Sequence, residues 1–355
     1  MSLFLWIIAV VHGTLFVNAV ANLVHFKRQR SRSFEGTLPK VSVLVPARNE
    51  EPNLPRLLAS FIRQDHPNAE LLVYDDLSED GTWSIISRFE NDQIKGLRGS
   101  TLPDGWVGKV HGCYQLSLAA TGSVLLFIDA DTEFHDAGSL QAMCRRFEAR
   151  PKGTMITGMT LLKGRGQLIV TMVGNLILAW IPWWLGKHMP SHRLSAVNGQ
   201  CWMIDTVDYR RLEPHVFVKN QVLEDVMIGR YLHTQGLIPL LDDVRPELAV
   251  YMYTSFVEAW RGFRKNAAAA LGGSTWTSSV ALCTYFVVFL IAPFFNIWFL
   301  ASLYGIKWIT DLTTRQPFTV TLLAPISYFL TILIGVDSII TRSRGQIEWK
   351  GRQIQ

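Results

Sequence analysis

Long apolar stretches occur near both ends of the chain, and a mixed pattern of apolar and polar residues lies between them. The first stretch covers residues 3–24, and two more cover 278–304 and 318–336. Each is long enough to cross the roughly 30 Å hydrocarbon core of a bilayer. We therefore predict one transmembrane helix at the N-terminus and two near the C-terminus, with Pro293 kinking the first of that pair.

Basic residues lie on one side of these stretches. No Lys or Arg precedes the first stretch, which is the reverse of a secretory signal peptide, whereas Lys27, Arg28, Arg30 and Arg32 follow it. Further basic residues lie between 342 and 352, after the last stretch. Because basic loops stay in the cytoplasm, we predict an outside N-terminus and a cytosolic location for everything from Lys27 to the first C-terminal span, and for the tail.

A fourth apolar stretch, 168–185, is also long enough to span a bilayer. A single crossing there would place candidate catalytic residues around Asp131 and Asp225 on opposite faces of the membrane. Pro182 and the pair Trp183-Trp184 are typical of a helix that lies in the interface. We predict an interfacial helix at about 167–186, with a buried core helix as the alternative.

Between residues 40 and about 160, short β-rich runs alternate with amphipathic segments. Such alternation predicts βαβ units with a largely parallel sheet, whose ligands bind at the carboxyl ends of the strands. The predicted strands are 41–45, 70–74 and 124–128, and the predicted helices are 52–64, 81–90, 109–120 and 137–149.

Polar clusters follow each predicted strand. The first strand is followed by Pro46-Ala47-Arg48-Asn49-Glu50-Glu51, which lacks the glycine pattern of a dinucleotide-binding fold. The second is followed by the run 75–82, in which a turn and helix cap explain Asp80 and Gly81 but not the adjacent carboxylates of Asp75 and Asp76. A carboxylate at that position can bind the uracil or ribose of a nucleotide.

The third strand is followed by Asp129-Ala130-Asp131. Alternate residues of an extended chain point the same way, so we expect both carboxylates to face one hard cation, Mg²⁺ or Mn²⁺. A cation bridging a carboxylate and a diphosphate neutralises the charge that develops as a nucleotide departs.

Composition agrees with a soluble domain that carries a few membrane segments. Hydrophobic residues make up 49% of the 355 residues, and the net charge of +5 suits an anionic membrane surface, because the basic residues cluster beside apolar stretches. We therefore expect no nucleic-acid partner. The four scattered cysteines have neither zinc-site nor disulfide spacing, which indicates reduced thiols.

Four motifs in order resemble the family 2 inverting glycosyltransferases of GT-A fold. They are the segment 41–50, the run 75–82, Asp129-Ala130-Asp131 and Glu224-Asp225. The segments 105–115 and 347–353 are similar to those of the bacterial carotenoid glycosyltransferases, with the hopene-associated enzymes as relatives. The resemblance covers roughly 40–265 and implies an α/β nucleotide-diphospho-sugar transferase domain.

The resemblance also implies roles for individual residues. Pro46 and Glu50 would border the nucleotide, Asp76 would contact the uridine, and Lys109 would lie near the donor phosphates. The metal would be held by Asp131, with Asp129 nearer the ribose or a metal-bound water. The general base would be Asp225.

Other polar residues near these motifs have two interpretations. Arg261 and Arg264 stand where many relatives have a Q-x-x-R-W pattern, and either can bind the diphosphate or lipid headgroups. The segment Asn198-Gly199-Gln200 is either a turn or part of the acceptor site. Glu224 is either a solvated helix-start charge or an acceptor-side group.

The predicted function is hexose transfer, with glucose from UDP-glucose as the first candidate, to a hydrophobic lipid such as a carotenoid or carotenoid acid. The alternatives are a hopanoid or other envelope acceptor, a polysaccharide synthase, and an inactive nucleotide-sugar-binding subunit. A synthase is disfavoured because a growing polar chain requires more spans. The predicted domains are a transmembrane helix at 1–26, a cytosolic transferase domain at 40–265, two transmembrane helices within 278–336, and a basic tail at 337–355.

Overall fold

The computed structural model describes residues 3–29, 34–221, 223–271, 274–344, 348–349 and 352–353. The chain divides into an α/β unit and a helical unit. The α/β unit consists of Arg28–Leu161 and Leu185–Tyr251, and the helical unit of Met1–Lys27, Leu162–Trp184 and Met252–Gln355. Arg30, Arg32 and much of the predicted tail motif at 347–353 lie outside the described residues.

The strands are β1 Val41–Ala47, β2 Ala69–Asp75, β3 Ile94–Arg98, β4 Val124–Ile128, β5 Thr132–Phe134, β6 Thr154–Met159, β7 Leu161–Gly164, β8 Cys201–Asp205, β9 Ile238–Asp243, β10 Leu248–Tyr253, β11 Glu348–Trp349 and β12 Arg352–Gln353. The α-helices are α1 Leu3–Gln29, α2 Leu54–Ile62, α3 Thr82–Phe89, α4 Gly108–Ala119, α5 Ser139–Glu148, α6 Gln167–Trp180, α7 Thr206–Leu212, α8 Pro214–Phe217, α9 Glu224–Thr234, α10 Phe256–Ala270, α11 Thr275–Phe286, α12 Ile297–Thr314, α13 Phe318–Leu322 and α14 Ala324–Ser343.

A seven-stranded sheet organises the α/β unit, in the order β3-β2-β1-β4-β8-β6-β9. The first four of these strands are parallel, although β3 was not among the predicted strands. β8 runs antiparallel to both β4 and β6, whereas β6 and β9 are parallel to each other. Six of the seven strands therefore point the same way, which confirms the expectation of a largely parallel sheet. The fold is therefore α/β with a mixed sheet.

This topology gathers distant segments at one edge of the sheet. The carboxyl ends of β1, β2 and β4 lie together because these strands are parallel. The antiparallel strand β8 begins at the same edge, since Cys201 pairs with Ile128. The segment before β8, Asn198-Gly199-Gln200, is therefore brought beside the end of β4.

Hydrophobic clusters cover both faces of the sheet. On β1, Val43 and Val45 belong to the cluster that packs on α2, and Leu44 belongs to the cluster that includes Val110 of α4. Successive side chains of a strand point to opposite faces, so a strand that is buried on both faces reads as a continuous apolar run. The sequence of β1 has this form.

Polar residues of α1 tie it to the rest of the helical unit. Asn18 donates to the carbonyl of Ala179 at 2.9 Å, and Asn22 donates to the carbonyl of Leu178 at 2.7 Å. The indole of Trp184 donates to Asn18 at 2.9 Å. These asparagines therefore join α1 to the end of α6. Trp184 is held in place by the same contacts.

Four helical segments are long and apolar enough to cross a membrane by length and composition: Leu3–Arg28, Gln167–His188, Thr275–Phe294 and Ala324–Ser343. Within the second, the regular helix α6 has only 14 residues, or about 21 Å at 1.5 Å per residue. That length is shorter than a bilayer core of about 30 Å. The interfacial orientation of this segment stays a prediction, as does the topology of the chain.

The predicted span 278–304 is not one kinked helix. α11 ends at Phe286 and is followed by a π-helical turn and a 3-10 turn that contains Pro293. A new helix, α12, then begins, and Asn296 caps it by accepting a hydrogen bond from the backbone N–H of Trp298 at 3.0 Å. A proline without a donor followed by an asparagine cap ends one helix and starts the next.

Candidate active site

Lys109 lies at the start of α4 and faces two acidic residues from different elements. Its Nζ is 2.7 Å from Asp129 Oδ1, just after β4, and 3.6 Å from Glu224 Oε1, at the start of α9. The exposed fractions of the three side chains are between 17% and 27%. Lys109 therefore joins two of the predicted motifs through ion pairs that are shielded from solvent.

Asp225 is held beside this lysine by close packing at two glycines. A Cβ added at Gly229 would lie 2.5 Å from backbone atoms of Ala196, so α9 can approach that segment only because residue 229 has no side chain. The backbone N–H of Val197 also donates to the carbonyl of Asp225 at 3.2 Å. A Cβ at Gly199 would lie 3.4 Å from Asp225 Oδ2 and 3.6 Å from Lys109 Nζ.

The carboxylates outnumber the ammonium group in this cluster. Burial lowers the pKa of Lys109, but the charges of Asp129 and Glu224 outweigh it and keep the pKa well above its ordinary value. Burial and the neighbouring Glu224 raise the pKa of Asp225 from 3.8 to about 6, although Lys109 opposes the shift. A carboxyl group with such a pKa can exchange protons near neutral pH.

The predicted metal ligands do not lie on an extended chain. The backbone N–H of Thr132 bonds to the carbonyl of Asp129 at 3.3 Å, and its hydroxyl does so at 2.8 Å, which closes a turn over residues 129–132. The expectation that strand geometry aligns the carboxylates of Asp129 and Asp131 is therefore wrong. The turn instead leaves Asp129 facing Lys109 of α4.

Within the described part of the chain, no three His, Cys, Asp or Glu side chains are arranged to hold a metal ion. Mg²⁺ usually binds one or two carboxylates and completes its oxygen shell with substrate phosphates and water. Asp129 and Asp131 supply hard oxygen ligands of this kind. The residues present therefore fit a divalent cation that a diphosphate helps to hold.

Two loops on the nucleotide side are linked by hydrogen bonds. Arg48 donates to the carbonyl of Asp76 at 2.6 Å, and the backbone N–H of Asp76 donates to the carbonyl of Ala47 at 2.8 Å. The backbone N–H of Glu50 donates to Thr82 Oγ1 at 2.8 Å, and Glu50 Oε2 accepts from Asn53. These bonds position the predicted nucleotide residues as one assembly.

His111 of α4 connects that assembly to the helix that carries Lys109. Its ring is edge-on to those of Tyr74 and Trp106, with centroids 6.0 Å and 5.3 Å away. Burial lowers the pKa of His111, and the charge of Asp76 partly opposes this effect. A neutral imidazole with aromatic neighbours therefore lies near the predicted uridine ligand Asp76.

The segment 198–200 has both structural contacts and access to the site. Asn198 Nδ2 donates to the carbonyl of Gly158 at 2.7 Å, and Gln200 Oε1 accepts from Thr160 at 2.8 Å. Only Gly199 of the three lines the cavity beside Lys109. The predicted acceptor-side roles of Asn198, Gly199, Gln200 and Glu224 stay predictions.

A cavity of ≈ 10 Å³, about enough for one water molecule, lies within the cluster. Its lining includes Pro46 and the charged residues, but also four residues that the sequence analysis missed: Cys113, Phe127, Trp202 and His215. Burial and the charge of Lys109 lower the pKa of His215 to about 3. Of these four, only Cys113 had a signal in the sequence, because it follows Lys109 by one helical turn and so lies on the same face of the helix.

Arg261 and Arg264 belong to the helical unit. Arg264 Nη1 is 3.6 Å from Asp337 Oδ2 on α14, and the same carboxylate accepts a hydrogen bond from the indole of Trp260 at 2.7 Å. Arg264 is thus used in contacts within its own unit. Binding of a diphosphate by either arginine stays a prediction.

Part of the chain is similar to a known family of enzymes. Residues 42–166 match the family described as Glycosyl transferase family 2, and this segment runs from β1 to beyond the Asp129 turn. This segment is therefore similar to the family 2 glycosyltransferases. The matched segment includes Lys109 and both aspartates of the 129–132 turn, whereas Glu224 and Asp225 follow it in the chain.

Curated relatives are distant carotenoid-acid enzymes. The chain is 30% identical over 144 residues to the 4,4'-diaponeurosporenoate glycosyltransferase of Staphylococcus haemolyticus, a match that covers 39% of this chain and 38% of the relative. It is 22% identical over 244 residues to that of Staphylococcus aureus strain MRSA252, covering 66% and 62%. The chain therefore spans less than two thirds of the length of either relative.

A solved structure has the same fold. The mannosyltransferase of Pyrobaculum calidifontis, in complex with GDP-Man and Mn²⁺, has a TM-score of 0.54 and 18% identity, covering 96% of this chain and 99% of its own. At this identity the likeness shows the GT-A-like fold alone. The predicted fold class, an α/β domain of GT-A type with long apolar helices at both ends, is confirmed.

Proposed function

We propose that this protein is a membrane-bound inverting glycosyltransferase that moves a hexose from a UDP-sugar to a hydrophobic lipid acceptor. Glucose is the candidate hexose, and a carotenoid or carotenoid acid is the candidate acceptor. The observation that carries the proposal is the cluster at one sheet edge, where the proton-exchanging carboxyl group of Asp225 adjoins the Lys109–Asp129 ion pair. The names of the distant relatives support the choice of acceptor.

Asp225 is the general base in this reaction. When the acceptor is an alcohol, Asp225 takes its proton as the oxygen attacks the anomeric carbon and the bond to the UDP oxygen breaks. Attack from the face opposite UDP inverts the anomeric centre, so an α-linked donor gives a β-linked product. A base with a pKa of about 6 is ionised at neutral pH and still accepts a proton readily.

The donor diphosphate binds on the Asp129 side of the cluster. Lys109 supplies a permanent positive charge there, which stabilises negative charge as it accumulates on the leaving UDP. A divalent cation held by Asp131 and Asp129 would neutralise the same diphosphate charge. Pro46, Glu50 and Asp76 border the nucleotide in this arrangement, and Arg261 or Arg264 is the candidate for a further phosphate contact.

The acceptor reaches the site from the membrane. Four helical segments have the length and composition of membrane spans, which supports a lipid acceptor and a cell-membrane location. The basic residues Lys27 and Arg28, which follow the first segment, favour the cytoplasm for the transferase domain. If the acceptor is a carboxylic acid, it is already ionised at neutral pH. Asp225 then removes no proton and serves to position the acceptor.

Product analysis tests the proposal. The full chain is purified in detergent with Mn²⁺ and UDP-glucose, and a carotenoid acid, a carotenoid alcohol or a hopanoid is added in separate reactions. Mass analysis of the lipid fraction should show a hexose adduct of a carotenoid. A hexose adduct on the hopanoid alone would show that the acceptor is a hopanoid and not a carotenoid. UDP binding without transfer to any lipid would contradict the proposed reaction.

A further inference from the structure

Lys109 places a positively charged ammonium group beside a carboxylate that is expected to bind a metal ion. Its Nζ lies 2.7 Å from Asp129 Oδ1, within the distance of a charge-assisted hydrogen bond. Asp129 is one of the two carboxylates that fit a divalent cation. An ammonium group and a metal ion on one carboxylate repel each other, and the repulsion is strong where water is scarce.

A second carboxylate offers the lysine another partner. Glu224 Oε1 is 3.6 Å from the same Nζ, and its side chain is 17% exposed. A displacement of about one ångström, which is small for a flexible lysine side chain, would exchange the short contact with Asp129 for a short contact with Glu224. The donor diphosphate would offer negative oxygens in addition.

The charges of the cluster allow it to hold both cations, the Lys109 ammonium group and a metal ion. Asp129, Glu224 and Asp225 supply three carboxyl groups around one ammonium group, so the cluster can hold a further positive charge. The Lys109–Asp129 contact occupies Oδ1 of the carboxylate that the metal ion needs, so metal binding at Asp129 competes with the ammonium group.

We propose that Lys109 occupies Asp129 as an internal counter-cation and transfers to Glu224 and the donor diphosphate when the metal ion binds. Metal binding is then weak in the absence of nucleotide and is strengthened by it, because the diphosphate gives the displaced ammonium group a partner. Lys109 is a positioning residue in this step. The inference rests on the proposed function, since it requires a nucleotide-dependent metal site.

Metal titration of the full chain tests the exchange. Mn²⁺ affinity is measured by electron paramagnetic resonance, with and without saturating UDP, for the wild type and Lys109→Met. We expect UDP to raise the Mn²⁺ affinity of the wild type. Lys109→Met should bind Mn²⁺ about tenfold more tightly without UDP, which corresponds to about 1.4 kcal/mol, and its gain from UDP should be smaller. Unchanged or weaker Mn²⁺ binding by Lys109→Met without UDP overturns the inference.

A double-mutant cycle separates displacement at Asp129 from a general charge effect. In an Asp129→Asn background, Lys109→Met should leave Mn²⁺ affinity unchanged, because the one carboxylate for which Lys109 and the metal ion compete has been removed. An equal gain in both backgrounds overturns the exchange. Lys152→Met is the matched control, since this exposed lysine precedes β6 at the opposite edge of the sheet. It should bind Mn²⁺ as the wild type does.

A variant that keeps Lys109 allows the inference to be tested even if Lys109→Met does not fold. Glu224→Gln removes the partner that is available without UDP, so Mn²⁺ binding without UDP should be weaker than in the wild type, and UDP should strengthen it more. An effect of UDP in Glu224→Gln that is no larger than in the wild type overturns the exchange whether or not Lys109→Met folds. If the wild type binds no Mn²⁺ even with UDP, both this inference and the metal site of the proposed function fail. If it binds Mn²⁺ and only the variants behave otherwise, the inference alone fails.

Discussion

Two shielded lysines, one in each unit, have opposite surroundings. Lys109 faces the carboxylates of Asp129 and Glu224, with Asp225 adjoining, and these ion-pair partners are 17–27% exposed. In the helical unit, Lys307 forms an ion pair with Asp311 one turn further along α12, and both are fully buried. Thr171 of α6 accepts from Lys307 at 3.1 Å, and Thr321 donates to Asp311 at 2.8 Å.

The difference lies in the charge balance. The Lys307–Asp311 pair is neutral, and a threonine hydroxyl bonds to each of its members, so it requires no further charged ligand. The Lys109 cluster has more acidic than basic groups and is partly open. A closed pair indicates a structural role that joins α6, α12 and α13, whereas an open, unbalanced cluster indicates a binding or catalytic site.

The largest expected effect is on catalysis in the open cluster. Asp225→Asn should lower the rate of transfer to an alcohol acceptor by about 10²–10⁴-fold, because the general base is lost. With a carboxylic-acid acceptor the loss should be much smaller, since no proton has to be removed. The measurement is turnover with matched alcohol and acid acceptors. Equal losses with the two would show that Asp225 does not act as a base.

The next effect is on stability in the closed pair. Lys307→Met should lower the free energy of unfolding by about 3–5 kcal/mol, because it leaves the Asp311 carboxylate buried without its partner. The double variant with Asp311→Leu should recover most of that loss, since both charges are removed together. Denaturant titration in detergent measures both. A double variant as unstable as the single one would contradict the structural interpretation.

A smaller effect is the pH dependence of stability that Asp225 contributes. Its pKa is raised on folding from 3.8 to about 6, so the folded state binds more protons than the unfolded state between these values. Stability from this group is therefore present at low pH and falls as pH rises through that window. Relative to wild type, Asp225→Asn should gain stability between pH 4 and pH 7. A constant difference in melting temperature across this range would contradict the raised pKa.

The smallest effect is expected at Gly199. A methyl group there would lie 3.4 Å from Asp225 Oδ2 and 3.6 Å from Lys109 Nζ, which is a close but tolerable contact. Gly199→Ala should lower kcat/KM by about two- to fivefold through a slight shift of Asp225, with little change in melting temperature. Gly138→Ala is the control, since a Cβ there meets no atom within 4 Å. Equal values of kcat/KM for the two variants would show that Gly199 does not position Asp225.

Local sequence signals predicted three of the parallel strands and several of the residues that the structure brings together around Lys109. β1, β2 and β4 were recognised because each apolar run ends in a polar cluster, and β4 was predicted with its observed bounds. The antiparallel strand β8 was not predicted, because its five residues, Cys-Trp-Met-Ile-Asp, show no alternation of apolar and polar residues that would mark a strand.

Contacts between distant segments could not be predicted from the sequence. The Lys109–Asp129 ion pair depends on where α4 packs relative to the end of β4, and residue spacing does not determine that position. The burial of His215 beneath the charged cluster depends likewise on α8 packing among Phe127, Trp202 and Tyr209. The turn at Asp129 formed because Thr132 supplies two hydrogen bonds to one carbonyl.

Metal-dependent release of UDP tests the difference between the two clusters most directly. UDP release from UDP-glucose is measured with Mn²⁺ and with a chelator, for the wild type, Asp131→Asn and the double variant Lys307→Met with Asp311→Leu. We expect Mn²⁺-dependent release by the wild type and by the double variant, and none by Asp131→Asn. Near-normal release by Asp131→Asn, or release that persists in the chelator, would contradict the assignment of the open cluster as the donor and metal site.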